Sequence, residues 1–417
     1  MSEHDTSPAA TRALATRALD GVRVLDLSRV LAGPWATQML GDLGADIIKI
    51  EKPGAGDDTR GWGPPWLKDG EGSDTRESAY FLCANRNKRS VTIDMASPQG
   101  QALIRRLAQT SDVVVENFKV GGLKRYGLDY ESLAALNPRL IYCSITGFGQ
   151  DGPEASRAGY DFMIQGMAGL MSVTGDPDTE PQKIGVALVD VLTGLHATIA
   201  ILAALEARHR SGRGQYIDLA LYDVAMASLA NQALNYLVGG TAPRRLGNAH
   251  PNIVPYQAFE TTDGHLILAV GNDAQFARFC RLAGLEEAAA DPRFSTNAGR
   301  VAHREALVPL VAAALKTQTT AEWLAMLDTA GIPAGPINNV AQAFAEPQAL
   351  ARGLALALPH ASGGLAPGVR SPLRLSDSPM DEASAPPLLG QHTDEVLGAL
   401  LGLGEPERAA LRAAGVI

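Results

Sequence analysis

The stretch Val22-Arg-Val-Leu-Asp-Leu27 leads through a turn into an amphipathic segment over 35–43 and then into Asp46-Ile-Ile-Lys-Ile-Glu51. The two flanking runs are short and mostly apolar, which is typical of buried strands, whereas the segment between them has the spacing of a helix. Parallel strands joined by a helix form right-handed βαβ units. This stretch therefore predicts an α/β fold with a parallel sheet covered by helices on both faces.

The same alternation continues downstream and extends the predicted sheet. The predicted elements are helices over 99–109, 130–136, 194–209 and 223–237, and strands over 113–116, 140–145 and 216–221. Residues 54–78 are rich in Gly, Asp, Pro and Trp and follow neither a helical nor a strand period. A stretch of that length and composition predicts a long functional loop.

A second domain is indicated by the change in composition to Gly, Arg, Asn and His over 239–251. Residues 255–260 and 265–270 predict antiparallel strands joined by a Thr-Thr-Asp-Gly turn, and helices follow to about residue 328. The predicted organisation is a disordered tail over 1–20, the first part of a large domain over 21–238, a small α+β domain over 239–335, and a return to the large domain with a C-terminal segment over 336–417.

The composition argues against several classes of function. Of the 417 residues, 46% are apolar, and the formal net charge of −9 with scattered basic residues argues against nucleic acid as a partner. Three widely spaced cysteines and eight unclustered histidines lack metal-ligand spacing, so we expect no metal and a reduced, cytoplasmic protein. We find neither an apolar run of about 18 residues nor a secretory signal, and therefore expect no membrane partner.

The segment Lys183-Ile-Gly-Val-Ala-Leu-Val-Asp190-Val-Leu-Thr-Gly194-Leu-His carries one carboxylate in an otherwise apolar run. A carboxylate becomes an effective nucleophile when it is held, partly desolvated and pointed at an electrophile, for example where an apolar strand ends at a Gly-containing turn into a helix. Asp190 is therefore a candidate nucleophile. The alternative interpretation is a helix N-cap that accepts backbone N–H bonds.

Several longer blocks accompany this segment. They are Gly21–Trp35, Leu40–Pro53, Asn85–Ser90, Glu116–Phe118, Ser144–Gln150, Ala158–Asp161 and Gly212–Gln215. Together with the Asp190 segment, they resemble the family III CoA-transferases, which include formyl-CoA transferase and the carnitine CoA-transferases and are related to 2-methylacyl-CoA racemases. The resemblance implies a Rossmann-like large domain, a smaller second domain, and two chains threaded through each other as an interlocked homodimer. It also implies coenzyme A, bound as an acyl-CoA substrate, and a carboxylic acid as the second substrate.

The resemblance implies three residues for the chemistry. Asp190 matches the nucleophile that forms an aspartyl anhydride and then an aspartyl-CoA thioester, and both intermediates conserve the transfer potential of the thioester. Tyr160 stands where the racemases have a histidine, and a tyrosine hydroxyl is a poor base at neutral pH, so racemisation is disfavoured. Tyr160 would line the acyl site or pack in the core. Gly271 matches a more glycine-rich active-site loop, where it either brings backbone amides to an oxyanion or forms a plain turn.

The resemblance also implies residues that bind the substrates. For CoA these are Lys52, Asn117, Phe118 and Arg125, with Lys88 and Arg89 as weaker matches. The blocks Gly54–Arg60, Ile253–Phe259, Gly335–Asn339 and Leu388–His392 look most like the succinate–hydroxymethylglutarate (glutarate) CoA-transferase branch. That branch implies succinyl-CoA as donor and another dicarboxylic acid as acceptor. The candidate partners of the free distal carboxylate are Arg60, Arg86, Arg244, Arg245 and His250.

Three alternative functions remain open at this point. A nicotinamide-dependent oxidoreductase would share the strand–turn–helix–strand start, but Ser28-Arg-Val-Leu-Ala-Gly-Pro34 lacks the Gly-x-Gly-x-x-Gly spacing that pyrophosphate approach requires. A non-catalytic CoA-binding protein would bind CoA without acyl exchange. A 2-methylacyl-CoA racemase would exchange the C2 proton with solvent.

Overall fold

The computed structural model describes residues 17–380 and 383–417. The predicted tail over 1–20 lies outside the described residues, except for its last four. The chain forms two compact units: a larger one made of the residues up to Ala168 with Gly185–Ser228 and Ala351–Ile417, and a smaller one made of Gly169–Ile184 and Leu229–Leu350. The predicted domain boundaries stay a prediction.

The larger unit alternates strands and helices along its first segment. In chain order, its elements up to residue 168 are β1 (Arg23–Asp26), α1 (Ala32–Asp42), β2 (Asp46–Glu51), β3 (Trp66–Lys68), β4 (Asp74–Ser78), α2 (Ala79–Cys83), β5 (Lys88–Thr92), α3 (Pro98–Gln109), β6 (Val113–Glu116), α4 (Tyr130–Leu136), β7 (Ile141–Thr146) and α5 (Asp161–Met167). Short 3-10 turns cover Asp58–Gly61 and Lys124–Tyr126.

The rest of the chain contributes two separate segments to the smaller unit. After α6 (Leu170–Val173), the larger unit resumes with α7 (Leu188–Ser211), β8 (Tyr216–Ala220) and α8 (Leu221–Ser228). The smaller unit then contains α9 (Ala230–Gly239), β9 (Tyr256–Glu260), β10 (His265–Ala269), α10 (Asp273–Leu282), α11 (Glu286–Ala290), α12 (Asn297–Ala302), α13 (Arg304–Leu315), α14 (Thr320–Thr329), β11 (Ala334–Pro336) and α15 (Val340–Ala345). The chain ends with α16 (Pro347–Ala351), β12 (Ala355–Pro359), β13 (Leu365–Val369), α17 (Thr393–Leu401) and α18 (Glu405–Ala413).

A six-stranded parallel sheet forms the centre of the larger unit and confirms the predicted α/β class. The strand order is β5-β2-β1-β6-β7-β8, and every neighbouring pair is parallel. The central strands β1, β2, β6 and β7 are buried along almost their whole length, as expected of a parallel sheet covered on both faces. On one face, Leu25, Ile48 and Val114 pack with Leu107 of α3 and with Ile417 near the C-terminus.

The smaller unit has its own hydrophobic core. Its sheet is antiparallel, in the order β11-β10-β9, and the predicted hairpin is confirmed as β9 and β10. Leu266 and Leu268 alternate into the core, where they pack with Phe279 of α10 and with Trp323 of α14. The indole nitrogen of Trp323 donates to the carbonyl of Leu315 at 2.8 Å, which satisfies the one polar group of this buried ring.

Helix α7 packs along α1 at close range. A Cβ atom added to Gly194 would lie 2.8 Å from the carbonyl oxygen of Ala32, so only glycine allows this approach. Among the described residues, α7 is also the one helix that is long and apolar enough to cross a membrane. Asp190 and Glu206 interrupt α7, so it is not the uncharged apolar run for which the sequence was searched, but by length and composition a spanning helix is not excluded. The core helix of a soluble protein passes the same test.

Several predicted elements are wrong in detail. The segment before Asp190 is not a strand, and the helix begins at Leu188 instead of at Gly194. The predicted loop over 54–78 contains the hairpin of β3 and β4, and the predicted helix over 223–237 is divided between α8 and α9. Strand β5 was not predicted, because its two leading basic residues hide the apolar pattern that periodicity detects.

Candidate active site

The loops that follow β1 and β6 lie side by side at the carboxyl edge of the parallel sheet. The strand order reverses there, because β2 and β5 lie on one side of β1 while β6, β7 and β8 lie on the other. In open α/β sheets, ligands bind outside the carboxyl ends of the strands at such a reversal. The topology alone therefore marks this edge as the candidate site.

Asp190 lies in the first turn of α7, three residues after the N-cap Ala187, so its interpretation as the N-cap is wrong. Since α7 leads through residues 212–215 into the amino end of β8, its first turn lies toward the carboxyl edge of the sheet. Burial, and then the neighbouring carboxylate of Asp161, raise the pKa of Asp190 to about 7. A carboxylate with this pKa is more nucleophilic than an ordinary one and is still ionised above neutrality.

Asp161 caps the helix that carries Asp190. Its Oδ1 atom accepts hydrogen bonds from the backbone N–H groups of Val189 at 2.7 Å and of Asp190 at 3.3 Å. Its Oδ2 atom accepts a hydrogen bond from the amide of the buried Gln165 at 2.7 Å. The side chain of Asp161 is thereby fixed against the first turn of α7, which in turn fixes the position of Asp190.

Tyr80 is a neighbour of this carboxylate pair that the sequence analysis missed. Burial, and then the negative charges of Asp190 and Asp161, raise the pKa of Tyr80 to about 12. Its hydroxyl therefore stays protonated and can act as a donor toward anionic groups. The ring also meets Trp62 edge-on, with 5.0 Å between the ring centroids.

Tyr160 is the N-cap residue of α5 and directly precedes Asp161. Its side chain is 70% exposed. Packing in the core of this chain is therefore excluded as its role, whereas a role in lining the acyl site stays a prediction.

The loop after β6 contacts the loop after β1. The Asn117 amide bonds the backbone of Arg29, whose guanidinium lies 5.4 Å from the centroid of the Phe118 ring. Glu116, at the end of β6, accepts a hydrogen bond from the backbone N–H of Phe118 at 2.7 Å. Burial raises the pKa of Glu116 to about 7. The structure thus places Asn117 and Phe118, two of the predicted CoA residues, at the carboxyl edge of the sheet beside the loop after β1.

Two of the predicted CoA cations are exposed at the surface. Lys52 directly follows β2, at the carboxyl edge of the sheet. Arg125 lies in the 3-10 turn after β6, and its guanidinium is 4.5 Å from the centroid of the Tyr126 ring. An exposed cation can reach a phosphate of a bound ligand without losing a buried partner.

The other two predicted CoA cations are held by carboxylates. The ammonium of Lys88 is fully buried and lies 3.1 Å from Asp26, and burial lowers the pKa of Lys88 to about 8. Arg89 binds Asp46 at 2.6 Å and Glu395 at 3.0 Å. These contacts bring Lys88 into the core of the larger unit and tie Arg89 to the start of β2.

Two arginines predicted for the acceptor carboxylate are likewise buried and paired. Arg60 binds Glu51 through its Nε and Nη2 atoms, each at 2.8 Å, and binds Glu77 at 2.8 Å. Arg86 binds both carboxylate oxygens of Asp42. Their donors are directed at protein carboxylates, which favours a structural role for both.

The remaining substrate candidates lie in the smaller unit. Arg245 donates hydrogen bonds to three backbone carbonyls within residues 176–179. The ring of His250 lies 5.2 Å from that of Tyr256, measured between centroids. Arg244 is exposed. The substrate roles of these residues stay predictions.

Gly271 follows β10 and precedes α10. Its backbone N–H donates to the side-chain oxygen of Gln275 at 2.8 Å, so this amide is engaged within its own loop. Asn272 caps α10 by accepting a hydrogen bond from the backbone N–H of Gln275 at 2.9 Å. An oxyanion role for the Gly271 amide would require this loop to rearrange.

Within the described parts of the chain, no group of three or more His, Cys, Asp or Glu side chains could hold a metal ion. Of the residues that sequence reasoning missed, Asp161 and Glu116 lie inside the quoted blocks Ala158–Asp161 and Glu116–Phe118. The role of Asp161 follows from contacts with the backbone amides of Val189 and Asp190, far along the chain, and the raised pKa of Glu116 follows from its burial, so no local pattern encodes either. No pattern in the sequence indicated a functional role for Tyr80.

Comparison with known proteins identifies the class of protein to which this fold belongs. The family model described as CoA-transferase family III matches residues 19–393. The chain therefore belongs to the family III CoA-transferases and is an enzyme of that class.

Three individual proteins are similar to this chain along most of its length. The chain is 52% identical over 382 residues to the succinate–glutarate CoA-transferase of Agrobacterium fabrum, covering 92% of this chain and 95% of that protein. It is 44% identical over 399 residues to the human succinyl-CoA:glutarate CoA-transferase, covering 96% and 90% of the two chains. The crystal structure of a CAIB/BAIF family protein from Brucella suis matches with a TM-score of 0.82 and 54% identity, over 92% of this chain and 100% of that one.

Proposed function

We propose that this enzyme transfers CoA from succinyl-CoA to a second dicarboxylic acid, with glutarate as the first candidate. The observation that carries the proposal is the environment of Asp190, where burial and a neighbouring carboxylate raise its pKa to about 7 in the first turn of a capped helix. The names of the similar proteins from Agrobacterium fabrum and human support the choice of substrates.

The proposed reaction exchanges two carboxylic acids through Asp190. A carboxylate oxygen of Asp190 attacks the thioester carbon of succinyl-CoA and expels the CoA thiolate, which gives a mixed anhydride. The thiolate then attacks Cγ of Asp190 and releases succinate, leaving an aspartyl-CoA thioester. The acceptor carboxylate repeats these two steps in reverse. A carboxylate nucleophile suits this exchange because neither intermediate loses the energy of the thioester.

We assign CoA binding to the exposed members of the predicted set. Lys52 and Arg125 are cations at the surface, and Phe118 follows β6 at the carboxyl edge of the sheet. Their chemistry fits the phosphates and the adenine of CoA. Arg245 and His250 remain the proposed partners of the distal carboxylate of the acceptor.

We also propose an interlocked homodimer, as the family resemblance implies. Large apolar side chains at the surface of the smaller unit support an interface, since Leu237 is 72%, Val238 84% and Val340 76% exposed. Light scattering after size-exclusion chromatography should give twice the mass of the chain. A monomer at micromolar concentration would contradict this part of the proposal.

A cytoplasmic location belongs to the same proposal. Cys83, Cys143 and Cys280 are free thiols, which suits a reducing compartment. The substrates, acyl-CoA and small dicarboxylates, are polar molecules of the aqueous phase.

An oxygen-transfer experiment tests the chemistry. The purified enzyme is incubated with succinyl-CoA and glutarate whose carboxylates carry 18O, and the products are analysed by mass spectrometry. One acceptor oxygen stays on Asp190 after each turnover, and one Asp190 oxygen leaves with each succinate. We therefore expect glutaryl-CoA and, after several turnovers, about one 18O atom in each succinate. Hydroxylamine should release CoA from the enzyme and label Asp190.

The control variants separate the chemistry from folding. Asp190→Asn should abolish exchange and labelling, whereas Asp223→Asn should not, because Asp223 lies in the first turn of another helix and is exposed. A panel of C4 to C6 dicarboxylates ranks the acceptors. Glutaryl-CoA formation without 18O transfer would refute the anhydride route. Deuterium entering C2 of a 2-methylacyl-CoA, with no exchange between acids, would favour a racemase instead.

A further inference from the structure

The turn between β1 and α1 contains a residue in an unfavourable backbone conformation. Val30 has φ of 70°, the left-handed region that β-branched side chains avoid for steric reasons. Backbone outliers of this kind persist only where the surrounding structure holds them, and they cluster at functional sites. The contacts around Val30 therefore indicate what the turn is for.

Asn117 holds the residue before Val30 from one side. Its Oδ1 atom accepts a hydrogen bond from the backbone N–H of Arg29 at 2.9 Å, and its Nδ2 atom donates to the backbone carbonyl of Arg29 at 2.7 Å. Both ends of the side-chain amide are therefore used by one backbone residue. This arrangement leaves Asn117 poorly placed to bind CoA directly.

A buried ion pair holds the same turn from the other side. The ammonium of Lys49 donates to the carbonyl of Ser28 at 2.9 Å and to Oδ2 of Asp57 at 2.9 Å. Oδ1 of Asp57 accepts a hydrogen bond from the backbone N–H of Val30 at 3.3 Å. The side chains of Lys49 and Asp57 are completely buried, so water does not compete for these bonds.

The remaining backbone donor of the turn is also satisfied. The N–H of Ser28 donates to Oδ1 of Asp26 at 3.0 Å. Every backbone polar group from the N–H of Ser28 to the N–H of Val30 thus has a side-chain partner, and these partners come from β1, from β2 and the loop after it, and from the loop after β6. A turn that only reverses the chain direction does not need a side-chain partner for every one of its backbone polar groups.

The position of the turn explains why its conformation must be fixed. It lies between β1 and α1 and is linked through Asn117 to the loop after β6, so the clamp spans the reversal point of the sheet. Helix α1 begins at Ala32, whose carbonyl closely approaches Gly194, one turn after Asp190. A shift of the turn would displace the start of α1, and with it the close contact between α1 and α7 one turn after the proposed nucleophile.

We propose that Asn117, Asp57 and Lys49 form a clamp that keeps Val30 in the left-handed conformation, and that Asn117 is a positioning residue acting through this turn rather than a ligand of CoA. The inference rests on the proposed function, because it assigns the clamp to the acyl-CoA site of the transferase. Glycine adopts the left-handed region without steric penalty, so it provides a direct test of the mechanism.

The test is rescue by glycine. Asn117→Ala should lower kcat/KM for succinyl-CoA by about 10- to 50-fold in the native background. In a Val30→Gly background, the same substitution should lower it by about 3-fold or less, because the turn no longer needs to be forced. Val30→Ala is the matched control, because alanine removes the branched side chain but still disfavours positive φ, so its rescue should be smaller than that by glycine.

The outcomes separate the two roles of Asn117. Equal losses in the three backgrounds, or no loss in any of them, would overturn the clamp. If Asn117→Ala does not fold, Asn117→Asp replaces it, since the carboxylate keeps the acceptor for the N–H of Arg29 but loses the donor to its carbonyl.

A wild-type enzyme that exchanges no acids would refute the proposed function but would leave the clamp testable. Hydrogen exchange of the Arg29 and Val30 amides should then be at least 10-fold faster in the Asn117→Ala variant. Unchanged exchange would overturn the clamp independently of any activity.

Discussion

At the scale of the residue, Asp190 and Asp161 place two carboxylates beside the first turn of one helix. Asp161 accepts hydrogen bonds from the backbone N–H groups of that turn, and Asp190 is half-buried next to it. Two like charges close together favour protonation of one of them, and burial adds to the effect. The environment therefore divides the roles: one carboxylate supports the helix, and the other has the pKa of about 7 that suits a nucleophile.

The variant Asp161→Asn tests this division. It keeps an oxygen that can accept from the helix backbone but removes the charge, so the pKa of Asp190 should fall from about 7 while burial still holds it above the ordinary value. Since the ionised form reacts, the acid limb of the pH profile of kcat/KM for succinyl-CoA should move to lower pH by about 0.5 to 1 unit.

The control for this shift is a distant carboxylate. Glu206→Gln removes an exposed charge that pairs with Arg210 near the other end of α7, and it should leave the position of the acid limb unchanged. A profile of Asp161→Asn that coincides with the wild type, or that moves to higher pH, would show that the neighbouring charge does not act on Asp190.

At the scale of the element, the position of Asp190 depends on how closely α7 approaches α1. Gly194 lies one turn after Asp190, and a Cβ there would come within 3.0 Å of the Trp35 side chain as well as 2.8 Å from the carbonyl of Ala32. Protein interiors transmit such displacements because they are densely packed. The spacing between the two helices is therefore part of the geometry of the site.

Gly194→Ala should lower the free energy of unfolding by about 1–3 kcal/mol, because overpacking outweighs the gain in helix propensity. It should also lower kcat, since the first turn of α7 is displaced. Chemical denaturation and steady-state kinetics measure the two effects.

Gly239→Ala is the matched control. It also lies in a helix, but a Cβ there meets no atom within 4 Å. We expect it to be neutral or stabilising by up to about 1 kcal/mol. Equal effects of the two substitutions would mean that the contact between the helices does not constrain Gly194.

At the scale of the whole molecule, buried ion pairs connect parts of the larger unit that are distant in sequence. Arg60 joins Glu51 and Glu77, stacks its guanidinium 3.6 Å from the centroid of the Phe81 ring, and donates to the carbonyl of Pro387 at 3.1 Å. The C-terminal segment is thereby fixed to the loop after β2. Removing one member of such a network leaves uncompensated buried charge.

Arg60→Ala should therefore lower the free energy of unfolding by about 3–5 kcal/mol at neutral pH, because Glu51 and Glu77 lose their shared partner. Chemical denaturation of the purified variant measures the change. Arg157→Ala is the control, since Arg157 and Glu154 form an exposed pair, and it should change the same quantity by less than about 1 kcal/mol.

The opposite result would restore Arg60 as a substrate residue. If Arg60→Ala keeps native stability and raises the KM for the acceptor acid alone, its guanidinium binds the distal carboxylate, as the family resemblance suggested. The stability measurement thus decides between the two roles.

The sequence by itself determined the α/β class, most strands of the parallel sheet and the choice of Asp190 as the candidate nucleophile. These features depend on local patterns: apolar runs and helical periods reflect which side of an element is buried, and they are legible over a few residues. The family membership was likewise visible in the ordered blocks. The hairpin of β9 and β10 followed from its turn.

Only the tertiary structure decided which charged and polar side chains are available to substrates. Arg60 and Lys88 look like surface cations in the sequence, yet both side chains are buried and form ion pairs with carboxylates of other elements. Asn117 looks like a ligand, yet its amide serves the backbone of Arg29. The physical reason is that hydrogen bonds and ion pairs depend on proximity in space, whereas a sequence pattern records only proximity along the chain.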